Sequence, residues 1–346
     1  MTLPPQPDVT VDVLAEYLGE TIDGFGELLG VTKFSSGQSN PTYALKASSG
    51  HYVLRSQPTG KLLKSAHQVD REYRVMKALE GTDVPVPRMV HLAQGSGPLY
   101  RDFYVMTFVD GRIFWDPALP EHSKTDRTEI YDQMNKVLAA LHSVDLKATG
   151  LSDYGRAGSY FERQFTRWSK QYHASELDPV PKMDALIDWI GLNMMPDDGR
   201  VSLVHGDWRI DNLIFHPTEP EIVGVLDWEI STLGHPVADL AYQCMQWYLP
   251  NTGAMRGLAG VDRTAIGLPT EDQYVAAYCK RRGWEGIENW PFYLAFSFFR
   301  LIAILQGVVR RAHDGNASNP EKARQLAAAI PLLADLANEI IRKDTK

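Results

Sequence analysis

Residues able to do chemistry concentrate in one stretch, His205-Gly206-Asp207-Trp208-Arg209-Ile210-Asp211-Asn212, followed beyond a hairpin-like segment by Asp227-Trp228. Phosphoryl transfer needs a carboxylate to orient an attacking hydroxyl and take its proton. It also needs hard oxygen ligands for the magnesium that neutralises the phosphates. Asp207 fits the first role, and Asn212 and Asp227 fit the second as metal ligands. Arg209, just past Asp207, stands where a guanidinium stabilises charge on the transferred group, although an ordinary surface arginine reads equally well. Singly, these residues are a turn, a cap and a strand-end acid. In this order, with a hairpin between, they make a set that phosphoryl transfer could use.

A nucleotide half is legible upstream. Ser35-Ser36-Gly37-Gln38-Ser39-Asn40 lies between two strand-like runs, where small residues let backbone N–H groups approach phosphates, so Gly37, Ser39 and Asn40 are candidate nucleotide contacts. The loop is neither a Walker A motif nor G-x-G-x-x-G, and a plain hairpin turn stays open. In the third strand Val53 and Arg55 share a face by two-residue alternation, Val53 to pack on adenine and Arg55 to reach the phosphates. Glu72, central in the next helix, is the natural ion-pair partner of Arg55. In Met106-Thr107-Phe108-Val109 the backbone of Thr107 and Val109 is placed to hydrogen-bond the adenine edge. The cofactors expected are ATP and magnesium.

The elements that must position these residues change character along the chain. A short amphipathic helix over 9–20 gives way to strand-like runs with a turn at Ser48-Ser49-Gly50. Ser65 is expected to cap a helix in which Val69, Tyr73, Met76 and Leu79 fall at helical spacing and Gly81 is the stop. From Arg112 the texture is mostly helical, at 128–142, 159–172 and 182–194, apart from a hairpin whose runs LIF and IVGVL flank Pro-Thr-Glu-Pro. The apolar run Phe292 to Val309 approaches membrane-spanning length, but Arg300 and Gln306 interrupt it and a buried helix is expected. Its Arg300 should meet a carboxylate, such as Glu229, or a ligand phosphate. The fold expected is α+β and two-lobed: a small antiparallel-sheet lobe over 1–106, a hinge at 107–111 and a larger, mainly helical lobe over 112–346.

Bulk properties narrow the partners. The 346 residues are 44% hydrophobic and 23% charged, ordinary for a globular protein, and the net charge of −8 argues against a nucleic-acid binder. Cys244 and Cys279 make neither a disulfide framework nor a zinc site. With an N-terminus that lacks the basic start and apolar core of a signal peptide, they suggest a cytoplasmic protein with no membrane partner.

The loop H-G-D-x-x-x-x-N followed by Asp-Trp is similar to that of the aminoglycoside phosphotransferase and choline kinase superfamily, and the likeness covers nearly the whole chain. Closer still, SGQSNPTY, REYRVMKAL, HGDWRIDNLIFHP and LDWEISTLGHPVADLA resemble the kinase-like domain at the N-terminus of some acyl-CoA dehydrogenases. The resemblance implies a protein-kinase-like fold and a buried anchoring role for Asp239 in Asp-Leu-Ala. Two departures stand out: arginine at position 55, where kinases usually place lysine, and Gly234-His235-Pro236, where the family often has Gly-Asp-Pro.

An aminoglycoside pocket needs clustered carboxylates and a choline pocket an aromatic cage. The segment over 159–172 instead sets Phe161, Phe165, Trp168 and Tyr172 on one helix face and Arg163, Arg167 and Lys170 roughly opposite. That pattern is a core face and a solvated face, or a lean toward an anionic acceptor such as an acyl-CoA; a hydroxyacyl-CoA is what the resemblance implies. The alternatives are an aminoglycoside- or choline-type kinase, a nucleotide-binding pseudokinase suggested by Arg55, and an acyl-CoA-binding module. A protein kinase is disfavoured because no Ala-Pro-Glu type motif follows Asp227.

Overall fold

The computed structural model describes residues 11–34, 40–58, 68–95, 97–156, 158–252, 255–315 and 320–344. Gly37 and Ser39 of the expected phosphate loop and the helix cap Ser65 lie outside the described residues. Two units emerge, Met1–Arg112 with Thr149–Leu151 and Ile214–Ile230, and Ile113–Ala148 with Ser152–Leu213 and Ser231–Lys346.

The first unit begins with helix α1 (Val11–Thr21) and a five-stranded antiparallel sheet of β1 (Leu28–Lys33), β2 (Thr42–Ala47), β3 (Gly50–Ser56), β4 (Met89–Ala93) and β5 (Phe103–Thr107), in the order β1-β2-β3-β5-β4. Alternation assigns the two faces. Tyr43, Leu45 and Ala47 of β2 and Leu54 of β3 join Leu14 and Leu18 of α1 in one apolar cluster. Val53 and Arg55 point the other way. On that side α2 (Val69–Leu79) buries Val69, Glu72, Val75, Met76 and Leu79. Tyr73, expected in the buried stripe, is only half-buried, and Glu72 takes the buried place. A carboxylate there demands partners.

The second unit carries α3 (Lys124–Leu141), α4 (Tyr160–Ser175), α5 (Pro181–Leu192) and the strand β6 (Ser202–Val204). A hairpin follows, β7 (Leu213–Phe215) with β8 (Ile222–Val225). The sequence reading put it with the helical segment, but residues 214–230 group with the first unit. The cause is backbone pairing: Arg112 and Phe215 exchange N–H···O bonds of 2.8 Å each way, and the Val225 N–H donates to the Pro85 carbonyl at 2.9 Å. Gly111 permits the approach, since a Cβ there would stand 2.3 Å from the Phe215 carbonyl oxygen.

The second unit continues with β9 (Thr232–Gly234), α6 (Val237–Met245), the short β10 (Asn251–Thr252) and β11 (Met255–Arg256), α7 (Arg263–Ile266), α8 (Glu271–Arg282), α9 (Trp290–His313) and α10 (Pro320–Asp344). By length and composition α9 is apolar enough to cross a membrane, yet most of it is buried inside its unit, packed on α4, α5, α6 and α10. Cys244 and Cys279 are buried free thiols. The short antiparallel pair β6–β9, with Val204 opposite Thr232 and Ser202 opposite Gly234, has the largest consequence for chemistry. The His205–Asn212 loop leaves β6 and α6 leaves β9, so one ladder sets the loop beside the first turn of that helix.

Leu18 is fully buried between α1 and the sheet. Leu18→Ala should lower unfolding stability by about 2–5 kcal/mol in urea titrations, whereas a loss under about 1 kcal/mol would mean that α1 does not pack on the sheet in solution.

Candidate active site

In the first unit the sheet and α2 build a charged cluster around Arg55. Its Nε lies 3.0 Å from Oε2 of Glu72, its Nη2 donates to Oδ1 of Asp227 at 2.8 Å, and Oε2 of Glu229 stands 3.7 Å from the same nitrogen. Tyr104, opposite Arg55 across β3 and β5, donates its hydroxyl to Glu72 at 3.0 Å, and the Asn40 amide donates to the other Glu72 oxygen at 2.9 Å. The side chain of Asn40, expected among the phosphate contacts, is therefore aimed at Glu72, whose burial calls for a donor on each oxygen. Burial pushes the Glu72 carboxyl up to about 7, Arg55 pulls the other way, and the charges of Asp227 and Glu229 add to the rise. Asp227 holds a left-handed backbone, φ 65°, which aspartate tolerates better than most residues.

Val53 is buried on the Arg55 face of β3. The Thr107 N–H, expected to face adenine, donates instead to the Arg88 carbonyl at 2.9 Å, because β5 is still paired toward β4 at that position. Thr107 keeps only its carbonyl for such a contact. Val109 lies just beyond the strand and is half-buried.

In the second unit the loop after β6 is held from below. Asp239, fully buried in the first turn of α6, accepts the N–H of His205 at 2.6 Å and of Gly206 at 2.8 Å. His142 lies 3.2 Å from the same carboxylate through Nε2, and its Nδ1 is 2.6 Å from the Tyr278 hydroxyl. One neutral tautomer satisfies both, with Nε2–H donating to Asp239 and Nδ1 accepting from Tyr278. On the loop so fixed, the Asn212 amide nitrogen donates to both the Asp207 carbonyl (2.8 Å) and Asp207 Oδ2 (3.0 Å). This sets the amide orientation and turns the Asn212 oxygen, the atom a metal would want, away from Asp207. Arg209 forks onto Asp211 at 2.9 and 2.6 Å, so its guanidinium is tied within the loop, and burial is outweighed by Asp207 and Asp211 in holding its proton more firmly than usual. The structure thus places Asp207, Arg209 and Asn212 in one unit and Arg55, Glu72 and Asp227 in the other.

Comparison with known proteins follows this geometry. Residues 30–296 match the model of the phosphotransferase enzyme family. The chain belongs to that family. It is 45% identical over 338 residues to acyl-CoA dehydrogenase family member 10 of Mus musculus, covering 96% of this chain and 31% of that protein. With family member 11 of Rattus norvegicus the identity is 40%, over 98% of this chain and 44% of the other. The chain thus spans less than half of these relatives' own length. A crystal structure from Ralstonia eutropha, provisionally called an aminoglycoside phosphotransferase, is 45% identical, with a TM-score of 0.87 over 96% of this chain and 98% of that one. A thermostable mutant of the aminoglycoside phosphotransferase APH(4)-Ia, solved with AMP-PNP and hygromycin B, is 16% identical over 95% and 97% of the two chains, and its TM-score of 0.62 speaks to the kinase-like fold.

Within this family fold the two sequence departures acquire partners. Arg55 uses Nε for Glu72 and Nη2 for Asp227, two nitrogens of one planar fork. His235, where the family often has aspartate, is buried with Nε2 3.2 and 3.3 Å from the two oxygens of Asp198 and its ring stacked on Tyr293 at 5.7 Å. Among the described residues no group of three or more His, Cys, Asp or Glu side chains is arranged to hold a metal. The donor chemistry nevertheless fits magnesium, which is commonly bound through one or two protein oxygens with phosphates and water completing the shell. Among the described residues the first unit's cluster sets three carboxylates around one guanidinium.

Two contacts went unforeseen. Tyr242, one helical turn past Asp239 on α6, hydrogen-bonds Asp207; burial and then the Asp207 charge push its hydroxyl well above the usual phenol value. The three-residue spacing from Asp239 was the available signal. Arg300 was expected to meet a carboxylate, such as Glu229, or a ligand phosphate; Glu229 lies against Arg55. Arg300 sits instead with its guanidinium 5.5 Å from the Tyr242 ring and 6.0 Å from the Trp168 ring, and makes no salt bridge among the described residues. Aromatic faces contribute about 0.5–2 kcal/mol each. Burying an ion costs several kcal/mol, so the rings alone do not offset it.

The pH response of this anchor has a definite sign. Burial lowers His142 below its usual 6.5, against the pull of Asp239, so the fold favours the neutral ring and unfolding takes up a proton as pH falls below 6.5. Asp239 is itself held below the usual carboxylate value despite its burial, through His142 and the loop N–H groups, and its contribution is lost at still more acid pH as the medium passes its folded pKa. The melting temperature should drop between about pH 7 and pH 5, with His142→Gln flattening that slope in a differential scanning series. In the first unit, Glu72→Ala leaves the Arg55 cluster one carboxylate short and Tyr104 and Asn40 without their acceptor. It should cost about 3 kcal/mol of stability, while Glu72→Gln, which keeps an acceptor oxygen, should cost less; equal losses measured by urea unfolding would mean that the lost charge, not the lost acceptor for Tyr104 and Asn40, sets the cost.

Proposed function

We propose that the protein is an ATP- and magnesium-dependent small-molecule kinase that phosphorylates a hydroxyl group, with a hydroxyacyl-CoA as the acceptor class. The observation that carries this reading is Asp207: its carboxylate is oriented by the Asn212 amide on a loop whose backbone is pinned through Asp239. In the reaction an acceptor hydroxyl gives its proton to Asp207 as its oxygen bonds the γ-phosphorus. The bond from that phosphorus to the bridging oxygen breaks, and ADP leaves. Bound magnesium would neutralise phosphate charge, with Asp227 and Asn212 as protein ligands, and Arg55 would steady the phosphates. Support for the nucleotide comes from family membership and from a structural neighbour solved with AMP-PNP.

The acceptor class rests on the relatives named acyl-CoA dehydrogenase family members, which carry a region like this chain as 31% and 44% of their length. The net charge of −8 and the burial of α9 agree with a small-molecule partner in the cytoplasm rather than nucleic acid or membrane. The test is magnesium-dependent ADP release from ATP with hydroxyacyl-CoAs, aminoglycosides and choline, beside Asp207→Ala. Hydroxyacyl-CoAs should stimulate release, and Asp207→Ala should cut it by about 10²–10⁴-fold while ATP binding persists. Near-normal turnover in that variant would remove Asp207 from the chemistry. ATP binding with no stimulation by any acceptor would favour a pseudokinase.

A further inference from the structure

Two arginines of the second unit stand out for what they lack. Arg300, on α9, is 5% exposed, its Nε is buried without a hydrogen-bond acceptor, and its guanidinium faces the rings of Tyr242 and Trp168. Arg167, on α4, places its guanidinium 5.0 Å from the same Trp168 ring. Neither makes a salt bridge or side-chain hydrogen bond among the described residues, although Arg209 and Arg281 of the same unit each hold a carboxylate at 2.6 Å.

Burial, and after it the charge of Arg300, pulls Arg167 below the usual guanidinium value, so the two cations feel each other directly. Like charges held together in a partly desolvated place are stabilised by an anion, and two guanidinium groups against one indole ring offer the planar donors that bind carboxylate or phosphate. The same place repels a polycation. Tyr242 links this cluster to chemistry, since its ring lies under Arg300 while its hydroxyl bonds Asp207.

We infer that Arg300 and Arg167 form an anion subsite that binds a carboxylate or phosphate group of the acceptor on the Asp207 side of the second unit. The inference rests on the kinase reading for the word acceptor, but the site itself is a claim about binding. A carboxylate would come from a free hydroxy acid, and a phosphate from a coenzyme A thioester. Either source excludes a cationic sugar as the preferred ligand.

The test is isothermal titration without ATP, using 3-hydroxybutyrate, its neutral methyl ester and coenzyme A against the wild type, Arg300→Met, Arg300→Lys and Arg167→Met. Arg167 is exposed, so its variant tests the subsite even if Arg300→Met fails to fold. At least one anionic probe should bind the wild type in a salt-sensitive way. The ester should bind at least about tenfold more weakly than its acid, if the acid is the one bound, and both methionine variants should lose about tenfold or more for the bound probe. Arg300→Lys should recover part of that loss. Which probe responds identifies the source of the anion. Binding of neither anionic probe to the wild type, equal binding of acid and ester with no coenzyme A binding, or wild-type affinity in Arg167→Met and in any folded Arg300→Met would overturn the subsite. Because no phosphoryl transfer is read out, these results stand apart from the ADP-release assay.

Discussion

A single carboxylate, Asp239, ties the geometry of the second unit together. It is fully buried, and a buried charge is tolerable only where donors surround it. Two consecutive N–H groups of the His205–Asn212 loop and the ring of His142 supply them, and the position in the first turn of α6 adds the favourable end of the helix dipole. The constraint acts both ways. The helix cannot shift without orphaning the loop's backbone donors, and the loop cannot open without leaving a carboxylate unpaired. Asp207, Asn212 and Tyr242 inherit their positions from this lock, since the first two lie on the pinned loop and the third on the pinning helix.

The first unit solves a similar problem with a cation. Arg55 is the one guanidinium in a group that holds Glu72, Asp227 and Glu229, and its fork lets it address the helix α2 and the end of the β7–β8 hairpin at once. Arginine at a place where lysine is usual thus keeps the ion pair with the helix glutamate and adds one with Asp227. Burial first, and then the charges of Asp227 and Glu229, raise Glu72 against the pull of Arg55, in a cluster that among the described residues sets three acids against one base. It is the electrostatic condition under which a divalent cation and its phosphates would be welcome.

Much of this was legible in the sequence, and the limits have a physical shape. The loop, Asp227 and the Arg55–Glu72 pair are each a short motif or a face-sharing pattern, readable because β alternation and helical spacing are local rules. The hairpin between Leu213 and Val225 was visible from its turn, but its grouping with the first unit depends on Arg112 pairing with Phe215, a register that no local rule sets. His142 and Tyr278 complete the Asp239 lock across separations of 97 and 136 residues. Asn40 was expected to offer its backbone N–H to phosphates, and Arg209 to stabilise phosphoryl charge or to be an ordinary surface arginine. The structure sets the side chain of each on a carboxylate, Glu72 and Asp211, a pairing that no motif position announces. For Arg300 the carboxylate arm of the expectation finds no partner among the described residues, where the rings of Tyr242 and Trp168 lie against its guanidinium, and a ligand phosphate is the other arm.

The contrast among arginines bears on what the molecule handles. Arg55, Arg209 and Arg281 are each neutralised by acids of their own unit, so their charges are spent on holding the protein in shape. Arg300 and Arg167 are not, and structural need does not explain them: a methionine at position 300 would fill the same apolar helix without a desolvation cost. Where a buried charge brings no internal pairing, a ligand of opposite sign is the economical reason for its presence. Among the described residues, carboxylates outnumber cations around Asp227, and two guanidinium groups without a salt bridge lie against Trp168. A metal–nucleotide at the first and an anionic acceptor at the second would satisfy both.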